Sequence, residues 1–137
     1  MKEPERIIRL VDLGSVKIGK RDDDIIHVYF LENTEITVSL QKEIEQVISE
    51  LVGNNLHPFI YEAEPFVNLT PEAKRYSIEN ENNLSQTARV FFVQNLAQRI
   101  QANFYNKFLQ SGNYLKIVDD FNQGIRWLLE NHSSRSR

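Results

Sequence analysis

Ile25-Ile26-His27-Val28-Tyr29-Phe30 is the stretch that decides the fold class. In an extended chain alternate side chains point to opposite faces, so Ile26, Val28 and Phe30 share one side and Ile25, His27 and Tyr29 the other. Both sides are largely covered with apolar or aromatic groups, which is the pattern of an interior strand with layers above and below it. Ala88-Arg89-Val90-Phe91-Phe92-Val93 repeats that pattern farther along the chain. A sheet covered on both faces needs helices to cover it, and the intervening segments supply them.

Upstream, Ile7 to Asp12 and Val16 to Lys20 are short β-rich runs separated by Leu13-Gly14-Ser15, and Asp22-Asp23-Asp24 reads as a turn into the third strand. Downstream, Ser39 is placed to cap a helix whose Leu40, Ile44, Val47, Ile48 and Leu51 form one buried stripe, stopped by Gly53-Asn54. Pro58-Phe59-Ile60-Tyr61 is the next strand and runs into a loop, Glu62 to Leu69. Thr70-Pro71-Glu72-Ala73 has an N-cap, proline in the first turn and an acid beside it, so a short helix starts there. After the polar stretch Glu79 to Asn83 and the strand from Ala88, the residues Leu96, Ile100, Phe104 and Phe108 recur every fourth position and predict a helix packed on the sheet, ended by Gly112-Asn113. Leu115 to Val118 is the last strand, and Asp119 caps a closing helix with Phe121, Ile125, Leu128 and Leu129 inside.

The order predicts an α/β fold, with an N-terminal β-hairpin followed by alternating helix and strand. Right-handed crossovers place the later strands in a mixed, mostly parallel sheet of about five or six strands carrying about four helices. Residues 1–131 are expected to form one domain and 132–137, Ser- and Arg-rich, a flexible tail.

The 137 residues are 41% hydrophobic and 26% charged, enough for one core without disulfide or metal support. Sixteen basic against nineteen acidic residues leave a formal charge of −3, so no global field draws the chain to nucleic acid. With no cysteine there is no thiol nucleophile or thiolate metal site, and the charged start Met1 to Arg6 lacks a signal-peptide core. No apolar run approaches membrane-spanning length. A cytoplasmic location is expected.

From about Val16 to Leu129 the chain resembles STAS-like proteins related to the anti-sigma-factor antagonist SpoIIAA, a fold also compared with CRAL-TRIO lipid-binding domains. The resemblance rests on Pro58-Phe59-Ile60-Tyr61-Glu62 followed by Thr70-Pro71-Glu72-Ala73-Lys74-Arg75-Tyr76, on Ala88 to Val93 leading to Ala97-Gln98-Arg99-Ile100 and Asn103-Phe104-Tyr105, and on Ile117-Val118-Asp119-Asp120 with Ile125-Arg126-Trp127-Leu128. Glu62 stands where such proteins usually carry aspartate, and Pro65 and Asn68 stand in a loop that usually contains glycine. The resemblance implies docking to an unidentified protein partner, with self-association as a homodimer or other homo-oligomer a further expectation. It also makes Thr70 the nearest counterpart of a regulatory phosphoserine, although an N-cap role already accounts for that residue and is favoured over it.

Nothing else rises to a catalytic set. Three consecutive acids in a turn point in different directions and match no calcium loop, so Asp22 to Asp24 read as a solvated turn. His27, His57 and His132 have no paired zinc spacing. Glu62 and Glu64 lie two apart at a strand end, a poor acid pair without a partnering base. No glycine-rich phosphate cradle is present. Arg99 and Lys107 beside Phe104, Tyr105 and Phe108 suit a lipid- or partner-facing helix, but packing on the sheet accounts for the spacing better. The expectation is a non-enzymatic interaction or regulatory domain that uses no cofactor or metal, with a carrier of small apolar ligands or lipids as the alternative. Its surface would comprise Glu62, Glu64, Phe66, Asn68, Thr70, Arg75, Arg99 and Asn103.

Overall fold

The computed structural model describes residues 1–80, 86–107 and 115–135. A 3₁₀ turn, Pro4–Arg6, leads into β1 (Ile7–Asp12), β2 (Val16–Arg21) and β3 (Ile26–Phe30). Then follow β4 (Glu35–Ile36), α1 (Val38–Val52), β5 (His57–Ala63), β6 (Asn68–Leu69), α2 (Pro71–Glu79), β7 (Gln86–Phe92), α3 (Leu96–Lys107), β8 (Leu115–Val118) and α4 (Phe121–Arg135). Six strands form one sheet in the order β1-β2-β3-β5-β7-β8. β1 to β3 pair antiparallel, and β3, β5, β7 and β8 run parallel. The α/β class and the mixed, mostly parallel sheet are as the sequence predicts.

Period-2 alternation sorts side chains into two cores. On one face Val16, Ile18, Ile26, Val28 and Phe59 pack under Ile44, Val47, Ile48, Leu51 and Val52 of α1. On the other, Ile25, Ile60, Ala88, Val90, Phe92 and Val118 pack under Phe121, Ile125 and Leu128 of α4. Gly124 lets α4 approach the sheet, because a Cβ there would sit 2.9 Å from Val90 Cγ1 and 3.1 Å from Val118 Cγ2.

Several local details differ from the sequence reading. The cap of α1 is Thr37, not Ser39: Thr37 keeps an extended backbone and its side chain accepts from Leu40 N at 3.1 Å. Two hydroxyls within three residues compete, and the short β4 just before Thr37 holds the chain extended up to that point. β4 pairs with β6 as a separate two-stranded ribbon, too short to show in the residue pattern. His57, one residue before the strand predicted from Pro58, opens β5 and lies buried, its Nδ1 2.7 Å from the carbonyl oxygen of Asp24. Nor is the acidic turn simply solvated, since Asp22 pairs with Arg6 and Asp23 with the buried Arg21. α4 continues past His132 to Arg135, where a frayed tail is expected from sequence. Parts of the polar stretch after Glu79, together with Phe108 and Gly112-Asn113, lie outside the described residues.

Candidate functional site

The carboxyl ends of parallel strands are where open α/β sheets gather function, and here β5 brings Glu62 to that end. Register sets Glu62 beside Tyr29 of β3, two residues beyond His27. Residues two apart on a strand share a face, so His27 and Glu62 both lie on the α4 side. The His27 Nε2 to Glu62 Oε1 distance is 2.8 Å, with His27 wholly buried and Glu62 4% exposed. The main-chain N–H of Lys2 donates to the same oxygen at 3.1 Å. Burial pushes the Glu62 carboxyl up, but the hydrogen bonds from His27 and Lys2 outweigh it and hold Glu62 below the usual carboxylate range. An ionised carboxylate only accepts, which assigns the Nε2 proton to His27 and makes the imidazole the donor. His27 Nδ1 is buried with no hydrogen-bond partner, and its ring sits 5.4 Å from that of Phe121.

Arg21 completes this cluster. It is 1% exposed, donates through Nε and Nη2 to Asp23 and through Nη1 to Glu3 at 3.0 Å, and its guanidinium lies 5.7 Å from the Phe121 ring centre. The buried His–Glu–Arg group does not show in the sequence because His27 and Glu62 stand 35 positions apart. The only signal is parity: His27 and Glu62 fall on the same face once their strands are paired in register.

Glu64 lies beyond the end of β5. It accepts from the Tyr29 hydroxyl and, at 2.7 Å, from Glu32 N. The Tyr29 bond and the Glu32 N–H lower the Glu64 carboxyl, while burial and then Glu64 raise the Tyr29 hydroxyl above its ordinary value. Thus Glu62 offers no surface and Glu64 is committed to bracing the loop. Phe66, in a left-handed conformation, is 75% exposed. Asn68 is exposed in β6, and Thr70 is the N-cap of α2, accepting from Ala73 N at 3.1 Å while its own N–H bonds Ile36 O. Arg75 is exposed on α2; Asn103 is exposed on α3, where Arg99 pairs with Asp119 at 3.4 Å. α2 is joined to α1 through Gln41, which donates to Ala73 O and Ser77 Oγ, and through Tyr76, which donates to Glu45. The 63–66 loop is joined instead to the start of α3, where Gln94 and Gln98 both donate to Ala63 O. Thus α2 with Thr70 and Arg75 is tied to α1, and the 63–66 loop with Phe66 is tied to α3, which carries Arg99 and Asn103.

α3 reverses the sequence reading. Leu96, Ile100 and Phe104, expected to pack on the sheet, are 72%, 59% and 57% exposed. The buried side of α3 is instead Ala102, with Tyr105 against Phe91 at 5.7 Å. A fourfold repeat drifts around a helix of 3.6 residues per turn, and the short Ala102 lets the backbone come close on the side that Tyr105 anchors.

Among the described residues no group of three or more His, Asp or Glu could hold a metal ion. One depression of about 330 Å³, open to solvent, lies between Lys2-Glu3 and the start of α4, and another of about 490 Å³, also open, lies beside α1 at Leu13 and Val47. Neither is the enclosed apolar chamber a lipid carrier needs. No described helix is long and apolar enough to cross a membrane.

The profile of the family described as Domain of unknown function (DUF7793) matches residues 20–132. The chain belongs to that family. The matched span carries Arg21, His27, Glu62 and all of α3, while β1 and the residues before it lie outside. No curated protein matches this DUF7793 chain. Among solved structures it is similar to an uncharacterized protein of the DUF3478 family with a SpoIIAA-like fold from Shewanella loihica PV-4, at 13% identity and a TM-score of 0.58, over 82% of this chain and 91% of the other. The SpoIIAA-like fold expected from sequence is thereby established for this DUF7793 domain; neither match bears on the likeness to CRAL-TRIO domains.

Proposed function

We propose that this DUF7793 domain is a non-enzymatic interaction domain that docks a protein partner through the outer face of α3. The observation that carries this reading is the stripe Leu96, Ile100 and Phe104, three large apolar side chains each more than half exposed on successive turns of one helix. Scattered exposed apolar residues are ordinary, but a linear array on a helix is the geometry by which helices meet other helices or grooves. Phe66 adds a fourth exposed apolar group on the loop that Gln94 and Gln98 tie to the start of α3.

Photo-crosslinking tests this. A benzophenone side chain placed at position 100 is expected to capture a discrete protein partner in cells of the source organism, or a second copy of the chain. The same group at position 75, on the exposed polar face of α2, is expected to capture far less. Capture that is equal at both positions, or absent at position 100, would remove α3 as the docking face.

A further inference from the structure

α4 packs mainly on β5, β7 and β8, and its Phe121 reaches over His27 of β3 and Arg21 of β2. The N-terminal strap, residues 2–7, lies beside that ring. Lys2 N donates to Glu62 Oε1 at 3.1 Å, Glu3 Oε1 accepts from Arg21 Nη1 at 3.0 Å, and Arg6 pairs with Asp22 at 2.8 Å. Ile7 then presses on Gly19, where a Cβ would lie 2.8 Å from Ile7 Cδ1.

These contacts are of the kind a bound peptide makes: a main-chain N–H read by a buried carboxylate, and the next residue's carboxylate read by a buried arginine. The receiving groups are built into the sheet, with Arg21 held by Asp23 and stacked near Phe121, and Glu62 held by His27. The strap, in contrast, carries backbone strain. Glu3 takes the left-handed conformation, φ 51°, which a side-chain-bearing residue disfavours. An open depression of about 330 Å³ runs along the seam between Lys2-Glu3 and the start of α4. The receiving residues Arg21, His27, Glu62 and Phe121 all fall in the stretch the family profile matches, residues 20–132, and the strap falls outside it.

We propose that Arg21, Glu62 and the Phe121 ring form a peptide-binding site which the Lys2-Glu3 strap occupies in cis, and which takes a matching glutamate-bearing segment of another protein when the strap lifts. The site selects a residue with a free main-chain N–H followed directly by glutamate. A short tether presents the strap at an effective concentration on the order of millimolar, so an incoming segment competes against a strong intramolecular occupant. This site is separate from the α3 face and does not depend on it.

The test uses the full chain carrying Glu3→Lys, which sets a like charge against Arg21 and opens the strap. The probe is a fluorescent synthetic peptide of residues 1–7, followed by anisotropy at low salt. The Glu3→Lys chain is expected to bind the peptide at least tenfold more tightly than the unaltered chain does. Replacing glutamate by glutamine in the peptide is expected to remove at least tenfold of that affinity. Three results would overturn the proposal: no binding to the Glu3→Lys chain, equal binding to both chains, or indifference to the glutamine peptide. Loss of folded circular dichroism in the Glu3→Lys chain would also overturn it, since the strap would then be part of the fold and not a removable cover.

Discussion

Removing the carboxylate of Glu62 tests the core of the site. In Glu62→Ala, His27 Nε2 and Lys2 N lose their acceptor together, and the imidazole, whose Nδ1 has no partner, is left buried with neither nitrogen satisfied. Hydrogen bonds to a charged group contribute about 1.5–3 kcal/mol each, and two that share one oxygen do not simply add, so the expected loss is about 3–5 kcal/mol. With an unfolding entropy near 2.1 cal/mol/K per residue over 137 residues, each kcal/mol moves Tm by roughly 3.5 °C, a drop of about 10–17 °C. Glu62→Gln keeps an amide oxygen for both donors and loses only the charge, so it is expected to cost about 1–2 kcal/mol. The difference between native chain and Glu62→Gln depends on pH with a definite sign. A carboxyl held below its ordinary value stabilises the fold fully above the unfolded pKa, about 4.3, and that contribution is lost as pH falls through the folded value. The stability gap measured by urea unfolding is therefore expected to be constant from pH 7 to about 5.5 and to shrink below pH 4.5. A loss under 1 kcal/mol for Glu62→Ala, or a gap that widens with acid, would refute the buried pairing.

Three further outcomes follow from the geometry. Gly124→Ala is expected to destabilise by about 1–2 kcal/mol in urea unfolding, because the stiff Val90 and Val118 side chains stand 2.9 and 3.1 Å from the new Cβ and outweigh alanine's better helix propensity. Thr70→Ala should cost about 0.5–2 kcal/mol through loss of the cap on Ala73 N, and Thr70→Asp should restore most of it; equal loss in both would mean the hydroxyl matters for something other than capping. Leu96→Gln with Ile100→Gln is expected to leave stability within about 0.5 kcal/mol while shortening retention on a hydrophobic-interaction column, whereas a large drop in Tm would place these residues in a core.

Much of the fold was legible because burial on two faces writes itself into sequence. Ile25 to Phe30 and Ala88 to Val93 declare covered strands, and the stripe from Leu40 to Leu51 declares a helix on one of their faces. The Thr70 cap with Pro71 was legible for the same local reason: its hydrogen bond closes within three residues. α3 was not. Fourfold spacing of Leu96, Ile100 and Phe104 shows that these residues share a side of a helix, but which side meets the sheet depends on Tyr105 finding Phe91 and on Ala102 permitting close approach. Consistency between local pattern and global packing is the rule in folded chains, and its failure at α3 is the reason that face is proposed for docking.

The candidate site divides along the same line. Amino-acid order alone determined the strand faces, so the sides on which His27 and Glu62 lie were fixed by period-2 alternation. Only the tertiary structure decided that they meet, because parallel register between β3 and β5 sets Tyr29 beside Glu62 and thereby brings His27 within 2.8 Å of the Glu62 carboxylate. Likewise the charges of Met1 to Arg6 suggest nothing beyond a solvated start. It is where α4 comes to rest on the twisted sheet, with Phe121 over His27 and Arg21, that lets Lys2 and Glu3 reach Glu62 and Arg21.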